Sequence, residues 1–398
     1  MKKKDTEAIQ EMDASKQFCP NIECKSRGQI GQGNIVSHGR KRPRYKCKTC
    51  KKTFSARTGT ALEGLRKPTE LIVIVILLLA YGCPTQAIVH AFGLDERTVA
   101  SWQHRAGKHC ELVHKEKIER GVLDLLHVQA DEIWVKMRGA IVWVALAIMV
   151  PTRLWIAGEV SKTRDSNLTD RLMEQVRRCC KAMAALLICT DGFKAYPKSI
   201  LRAFRYKVKE TSGPGAAKKV VWPRIYIGTV IKYTVKRRVT EVVRRMTYGQ
   251  WRKAKRLIKV SKGGKKLNTS FIERLNGTFR ERLASLTRKC RHAASKIETV
   301  HTGIYLIGCT YNFCFVHHEL SKSKTKGGFG QSYTPAMASG LTDHVWSVRE
   351  LLTYKVAPPP FPIPKKRGRP RTKPLKNTSV HKKPVVRMRK GILCASTI

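Results

Sequence analysis

The sequence predicts an α/β protein, in which a mixed β-sheet carries helices on its faces and follows a cysteine-rich ribbon and a helix-turn-helix. Three observations support this. Residues 124–190 alternate apolar, strand-like runs with an amphipathic helix, two close pairs of cysteines stand near the N-terminus, and a helical hairpin pattern lies between these regions. The chain therefore combines a sheet-based domain with two small modules that precede it.

Composition restricts the classes of partner. The chain has 398 residues, with 79 Lys and Arg against 28 Asp and Glu, and a formal net charge of +51. Such an excess predicts a polyanionic partner, and nucleic acid is the default. A ribosomal or packaging role is the simplest interpretation of the charge alone. The hydrophobic fraction of 42% supports a folded core, and the length suggests two or three domains.

Cysteine usage and hydropathy predict the compartment. The 13 cysteines are an odd number and no signal peptide precedes them, so we expect a reducing compartment. The most apolar stretch, residues 71–80, has only ten residues, which is too short to span a bilayer. We therefore expect a buried helix there, a soluble chain and no membrane partner.

The N-terminal region divides into a flexible tail, residues 1–17, and a ribbon, residues 18–58. The ribbon has two cysteine couples separated by 22 residues, Cys19 with Cys24 and Cys47 with Cys50. Two short loops that each supply two thiolates match the tetrahedral coordination of Zn²⁺. The alternative is four unrelated buried thiols. The paired spacing favours a zinc ribbon.

Residues 66–115 have the pattern of a helix-turn-helix. Gly93 would supply the tight turn and Asp95 would cap the second helix. The residues expected to face the core are Val99, Trp102 and Ala106. The residues expected to be available for DNA are Arg97, Ser101, Gln103 and Arg105. An ordinary helical hairpin is the alternative, but the basic chain and the neighbouring ribbon favour DNA binding.

Residues 124–320 are predicted to form the sheet domain. Three successive strands, LHVQADEIWVKM, AIVWVALAIMV and RLWIAGEVS, precede the helix SNLTDRLMEQVRRCC and the strand AALLICTDG. Residues 202–266 contain 21 Lys and Arg and only two acids, so we interpret them as an ordered basic insertion. A C-terminal extension, residues 321–356, completes the folded part.

Three acids in this domain are candidate metal ligands. Asp131 and Asp191 stand at the ends of strand-like runs, and Glu273 lies on a helix that presents Asn276 and Arg280 on the same face. Acids at the tips of buried strands are costly unless a cation compensates them, and a divalent metal does so. Two metal ions held by such acids are a known arrangement for phosphoryl transfer on DNA.

Each acid has an alternative interpretation. Glu132 is adjacent to Asp131, but neighbouring strand residues point to opposite faces, so only one of them is expected in the site. Asp191 could simply cap the turn that it forms with Gly192. Glu273 could be a solvated acid paired with Arg274 or Arg280. The joint occurrence of all three acids in suitable elements favours the metal site.

The segments VQADEIW, CTDGFKAYP and IERLNGTFRERL, in this order after a ribbon and a helix-turn-helix, resemble the DDE transposases of bacterial insertion sequences, in particular the insertion-sequence-one-like group. The resemblance covers roughly residues 18–320. It implies a ribonuclease-H-like catalytic domain that carries Mg²⁺ (or Mn²⁺) on Asp131, Asp191 and Glu273. Arg280 matches a position where the family often has a basic residue.

The same resemblance implies what the chain acts on. The expected reaction is hydrolytic cleavage at transposon ends, followed by attack of the freed 3′-hydroxyl on target DNA. The implied partner is double-stranded DNA, both element ends and target, bound by a homo-oligomer. The implied location is the bacterial cytoplasm, in association with the nucleoid. The long basic segment, 202–266, departs from the shortest family members.

The C-terminal tail, residues 357–398, is rich in proline and basic residues and is predicted to be disordered. Its KKRGRPR segment resembles an AT-hook, in which Arg367 and Arg369 would enter a narrow minor groove. Generic phosphate binding is the alternative for this segment.

The expected function is thus a DNA transposase. Two other classes remain open at this point: a catalytically inactive DNA-binding regulator derived from a transposase, and a structural nucleic-acid packaging protein. Metal-dependent DNA cleavage is expected of the transposase and of neither of the other two classes.

Overall fold

The N-terminal ribbon is a small antiparallel sheet. The computed structural model describes residues 13–39, 44–137, 139–208, 217–236, 238–286, 294–321 and 330–359. The first three strands, in the order β1-β2-β3, are β1 (Ile35–His38), β2 (Arg44–Cys47) and β3 (Thr53–Ser55). Buried Ile35, Tyr45 and Phe54 pack around the cysteines. Of the predicted N-terminal tail, residues 1–12 lie outside the described residues.

Three helices follow the ribbon: α1 (Thr69–Ala80), α2 (Thr85–Phe92) and α3 (Glu96–Lys117). Gly93 ends α2 in the left-handed conformation, with φ of 57°, and Asp95 caps α3 by accepting a hydrogen bond from the Thr98 amide. The predicted turn and cap are confirmed. Within the described residues, no helix is long and apolar enough to cross a bilayer.

The main sheet has six strands and is mixed, as predicted. The remaining strands of the protein are β4 (His127–Met137), β5 (Ala140–Met149), β6 (Leu154–Ser161), β7 (Leu186–Thr190), β8 (Arg205–Val208), β9 (Lys218–Val221), β10 (Ile225–Val235) and β11 (Arg238–Tyr248). The sheet order is β11-β10-β7-β4-β5-β6. Strands β4, β5 and β6 are antiparallel, β7 runs parallel to both β4 and β10, and β11 is antiparallel to β10. Strands β8 and β9 form a separate hairpin.

Helices flank this sheet. They are α4 (Ser166–Cys179), α5 (Ala195–Ala203), α6 (Trp251–Val260), α7 (Ser270–Arg282), α8 (Ile297–Cys309), α9 (His318–Ser321), α10 (Pro335–Ala338) and α11 (Val348–Thr353), and a π-helix, Thr310–Cys314, continues α8. Helix α3 packs along α8 so closely that a Cβ at Gly107 would lie 2.2 Å from the Thr302 carbonyl oxygen. Helices α1 to α3 therefore share one core with the sheet domain.

The segment predicted as a basic insertion, 202–266, is instead part of the sheet. It supplies β10, which pairs with β7, and β11, which pairs with β10. The first half of β10, from Ile225 to Val230, is buried, and its second half is half-buried or exposed. The piece RIYIGTVIKYTV is strand-like in sequence, but the high density of lysine and arginine around it favoured an insertion over a place in the main sheet.

The C-terminal extension packs on the N-terminal helices. In α11 the Leu352 carbonyl accepts a hydrogen bond from the Ala61 amide at 3.0 Å, and Arg349 pairs with Glu70 at 3.0 Å. The tail from residue 360 onward lies outside the described residues, including the predicted AT-hook with Arg367 and Arg369.

Candidate functional site

The two predicted aspartates lie side by side on neighbouring strands. Ala130 of β4 is the register partner of Thr190, the last residue of β7, so Asp131 and Asp191 both stand one residue beyond this pair. Carboxylate oxygens of Asp131, Glu132 and Asp191 lie within 4.8 Å of one another. Parallel pairing of β4 and β7 thus brings together acids that are 60 positions apart in the chain.

Glu273 faces the same cavity from α7. The cavity has a volume of about 630 Å³, and all three predicted acids line it together with Arg164, Lys194 and Lys232. Glu273 accepts hydrogen bonds from Lys232 Nζ and, at 2.6 Å, from Thr269 Oγ1. The structure therefore brings the three acids to one cavity, with the third acid turned towards a lysine.

Helix α7 is attached to β4 by polar contacts. The side-chain oxygen of Gln129 accepts hydrogen bonds from the amides of Phe271 and Ile272 at 2.9 and 3.1 Å. These are two of the amides that the first turn of a helix leaves unpaired. Asn276 Nδ2 donates to Asp131 Oδ2 at 2.9 Å. Gln129 is buried, which restricts its side chain. It therefore caps the start of α7 from strand β4 and fixes the direction in which Glu273 points.

The prediction that only one of Asp131 and Glu132 joins the site holds for the cavity, which Asp131 lines and Glu132 does not, but the Glu132 carboxylate belongs to the acid cluster. Its Cβ lies on the face of β4 opposite to that of Asp131. The Glu132 amide donates to Asp131 Oδ1 at 2.9 Å, and Arg164 pairs with the Glu132 carboxylate at 2.9 Å. These contacts hold the Glu132 carboxylate near the two aspartates.

Arg164 joins two of these acids. Its Nη2 donates to Glu132 Oε2 at 2.9 Å and to Asp191 Oδ2 at 3.1 Å. The guanidinium stacks over Phe193, with 4.3 Å from Cζ to the ring centroid, which restricts its orientation. Arg164 therefore compensates part of the negative charge and holds Glu132 and Asp191 in place.

The surroundings make ionisation of Asp131 unfavourable. Burial, together with the negative charges of Asp191 and Glu132, raises the pKa of Asp131 from 3.8 to about 7. Burial also raises the pKa of Glu132. Clustered acids whose ionisation is this unfavourable are a fitting environment for a divalent cation, which would lie against oxygen ligands only. The described residues thus fit a site for a divalent ion.

The contacts of Asp191 and Glu273 bear on the alternative roles of these acids as a turn cap and as a paired surface acid. Asp191 Oδ1 accepts a hydrogen bond from the Phe193 amide at 3.0 Å, so it caps its turn and also faces the cavity. Glu273 is paired with Lys232, whereas the alternative interpretation paired it with Arg274 or Arg280. Arg280 is half-buried, two turns beyond Glu273 on α7, and is not among the described residues that line the cavity.

The four predicted zinc ligands form a second cluster. Sγ of Cys19 lies 3.6 Å from that of Cys50, and Sγ of Cys24 lies 3.8 Å from that of Cys47. Tetrahedral zinc with Zn–S bonds of about 2.3 Å requires sulfur separations of about 3.8 Å. Burial acts to raise the pKa of Cys50, but hydrogen bonds from Lys52 and Asn21 and from the other thiols lower it to about 7. The cluster is compatible with a zinc ribbon.

The predicted DNA-contacting residues of α3 have different surroundings. Val99, Trp102 and Ala106 are buried, as expected. Arg97 and Ser101 are exposed and Gln103 is half-buried. Arg105 is exposed too, but its guanidinium donates to the Glu63 carbonyl. The prediction that Arg105 is free to contact DNA is therefore wrong. Of the four predicted residues, Arg97 and Ser101, in the first part of α3, are thus the most available to a partner, while one face of the second part packs on α8.

Sequence reasoning missed Gln129, Arg164 and Lys232. The signal for Gln129 was its position two residues before Asp131, which places both on the same face of β4. Arg164 and Lys232 lie in basic or loop segments, where no pattern distinguished them from neighbouring cations. Their roles follow from tertiary contacts alone.

Comparison with known proteins adds no assignment. No protein-family model matches the chain, and no curated protein matches it.

Proposed function

We propose that this protein is a DNA transposase of the DDE type, which binds the ends of its element and catalyses metal-dependent cleavage and strand transfer. The observation that carries the proposal is that Asp131, Asp191 and Glu273 line one cavity together with three basic residues. Three acids that converge in this way from two parallel strands and a helix suit a site for divalent ions that acts on phosphodiesters.

The fold supports a ribonuclease-H-like assignment for the sheet domain. An antiparallel meander of β4, β5 and β6 is extended on the β4 side by the parallel strands β7 and β10. The acids lie on β4, directly after β7 and on the helix that follows the sheet. This order of elements and acids is the one expected from the sequence resemblance.

The residues of the cavity have distinct parts in the proposed reaction. Asp131, Asp191 and Glu273 would hold the divalent ions. Ions bound there supply activation of the attacking oxygen and stabilisation of the leaving oxygen. Asn276 fixes the orientation of Asp131 through its hydrogen bond to Oδ2. Gln129 holds the first turn of α7 and therefore the direction of Glu273.

Cations around the acids suit a polyanionic substrate. Lys194 and Lys232 line the cavity, and Arg164 lies between Glu132 and Asp191. They would neutralise phosphates on both sides of the bond to be broken. Displacement of Lys232 from Glu273 by a divalent ion would free its ammonium group for a phosphate of the bound strand.

The proposal is tested by strand cleavage on linear DNA that carries the inverted repeats flanking the gene. We expect nicks at the repeat ends that require Mg²⁺ or Mn²⁺. Asp191→Ala should abolish cleavage while DNA binding persists, because the variant loses a metal ligand and no basic residue. Asp124→Ala, which removes an exposed acid outside the cavity, is the matched control and should cleave normally.

The outcomes separate the other two classes. Specific binding without cleavage by the wild-type protein, at any divalent ion concentration, would favour an inactive regulator. Binding that ignores both sequence and metal would favour a packaging protein. A zinc ribbon formed by the four cysteines, an assembly of several copies on the DNA and an association with the nucleoid belong to the same proposal.

A further inference from the structure

A second cavity lies against a different face of α7. Its volume is about 340 Å³, and α7 contributes Phe271, Arg274, Leu275, Thr278 and Arg282 to its wall. The opposite wall is formed by Arg153, which follows β5, and by residues of the π-helix and the loop after it. Glu273, at the metal site, is adjacent in sequence to Arg274, so one helix separates the two cavities.

Three arginines converge on this second cavity: Arg153, Arg274 and Arg282. His317 and His318 add two imidazoles, and Glu319 is the one acid among the described lining residues. Within the described part of the chain, no carboxylate forms a salt bridge with any of the three arginines. The cavity therefore gathers more positive than negative charge, with three guanidinium groups against one carboxylate.

Two of the guanidinium groups are held in place by aromatic rings. Arg153 stacks over Phe271 at 4.0 Å, and Arg282 stacks over Phe315 at 4.1 Å. Stacking fixes the plane of a guanidinium and leaves its N–H groups directed sideways, which suits bidentate binding of an oxyanion. Arg282 Nη1 is buried and has no hydrogen-bond partner among the described residues, and the same is true of His317 Nδ1.

The backbone around the cavity is unusual. The π-helix Thr310–Cys314 carries Tyr311, whose hydroxyl donates to the Arg153 carbonyl at 3.0 Å. Arg153 itself has a φ of 60°, which is uncommon for a residue with a side chain. Single π-helical turns and such backbone conformations are frequent at functional sites.

The charge in the cavity is electrostatically unfavourable without an anion. Burial lowers the pKa of Arg153, and the positive charge of nearby Arg274 lowers it further. Burial also lowers the pKa of Arg282. A bound anion would offset both effects through its negative charge. It would also supply the partner that the buried Nη1 of Arg282 lacks, whereas Arg153 Nη1 already donates to the Val150 carbonyl oxygen.

We propose that this cavity binds a backbone phosphate of the nucleic acid that occupies the metal site, several nucleotides away from the phosphodiester to be cleaved. The inference rests on the proposed function, since it takes the strand in the first cavity to be nucleic acid. The donors favour a phosphodiester over a carboxylate, because three guanidinium groups can surround a group with several acceptor oxygens. Arg282 also stacks at 5.3 Å on Tyr81, just after α1, so the connection between α1 and α2 contacts the end of α7 that lines this cavity.

The test is the salt dependence of DNA binding by Arg274→Ala. Arg274 is exposed and its side chain forms no salt bridge or hydrogen bond with described residues, so its removal should leave the fold intact. Binding of a fluorescein-labelled duplex of the element end is measured by anisotropy in Mg²⁺-free buffer across a KCl series. We expect several-fold weaker binding and a slope of log Kd against log salt that is smaller by about one phosphate contact.

Lys181→Ala is the matched control, because it removes one exposed positive charge from outside the cavity. Arg274→Lys and Arg282→Lys keep the charge but lose the fork of donors, and we expect intermediate affinities. Equal losses in Arg274→Ala and Lys181→Ala would overturn the proposal. Competition by inorganic phosphate with the duplex at equal phosphate concentration would also overturn the proposal, since the cavity would then be a small-anion site.

The salt dependence of DNA binding is measured in Mg²⁺-free buffer, so it does not depend on catalysis. A reduced slope for Arg274→Ala supports the phosphate site even where the cleavage assay shows no nick. Normal cleavage and an unchanged slope overturn the phosphate site and leave the proposed function standing. A wild-type protein that does not bind the duplex at all overturns both.

Discussion

Asp131→Asn should stabilise the protein in the absence of divalent ions at alkaline pH, although it removes a proposed metal ligand. The pKa of Asp131 is raised from 3.8 to about 7 by burial and by the neighbouring acids. A carboxyl with a raised pKa binds more protons in the folded than in the unfolded state. Its ionisation therefore costs stability progressively as the pH rises from 3.8 to 7, and in full above pH 7.

The magnitude follows from that difference in pKa. A rise of roughly three pH units, at about 1.4 kcal/mol per unit, corresponds to at most roughly 4 kcal/mol at pH 8. The amide removes this penalty and keeps the shape of the side chain. Asn276 Oδ1 has no hydrogen-bond partner among the described residues, so after a rotation of the Asn276 side chain it can accept from the new amide. We expect a net gain of about 2 to 4 kcal/mol at pH 8 and almost none at pH 4.

The assay is urea denaturation of the wild type and Asp131→Asn at pH 4, 6 and 8, with and without Mg²⁺. Mg²⁺ should stabilise the wild type at pH 8, because it binds the folded state, and should leave the variant unchanged. Asp124→Asn, at an exposed acid outside the cluster, is the control and should follow the wild type. An Asp131→Asn variant that is less stable than the wild type by the same amount at every pH would refute the reasoning.

Three further predictions concern the supports of the site and the ribbon. Gln129→Ala leaves two α7 amides unpaired and should lower the free energy of unfolding by about 2 to 4 kcal/mol in urea titrations, whereas Gln103→Ala should lower it by less than about 0.5. Lys232→Met removes the cation paired with Glu273 and should tighten Mn²⁺ binding several-fold in calorimetry, and weaker binding would count against a ligand role for Glu273. Elemental analysis should find one zinc ion per chain, and Cys47→Ser should lose that ion and expose the ribbon to limited proteolysis, while Cys83→Ser, at a half-buried thiol outside the cluster, should retain both.

Local patterns in the sequence predicted those parts of the structure whose cause is local. The apolar runs of β4 and β7 made them recognisable as buried strands, and the acids beside these runs were candidate ligands because the chain has few acids. Asp191 follows β7 directly, as predicted, but Asp131 lies within β4 rather than at its end, because β4 continues to Met137. Gly93 and Asp95 have intrinsic preferences for a helix end and a helix start. The two cysteine couples were visible from their spacing alone.

Contacts between distant segments were beyond the reach of those patterns. Gln129 caps a helix 142 residues away, and no local preference reports such a pairing. The assignment of Glu132 to the opposite face followed strand alternation correctly for its Cβ, but alternation does not report that Arg164 pairs with both Glu132 and Asp191. The strand-like pattern of β10 was recognisable in the sequence, but its pairing with β7 in the main sheet was not, because local patterns do not report pairing partners.

The proposed function requires that Asp131, Asp191 and Glu273 hold divalent ions in one cavity. The most direct measurement is anomalous diffraction from a crystal grown or soaked with Mn²⁺. We expect at least one anomalous peak within coordination distance of carboxylate oxygens of Asp131 and Asp191, with Glu273 released from Lys232. Crystals of Asp191→Ala should show no such peak. A fully occupied wild-type crystal form with no manganese between these acids, and Lys232 still paired with Glu273, would contradict the proposed function.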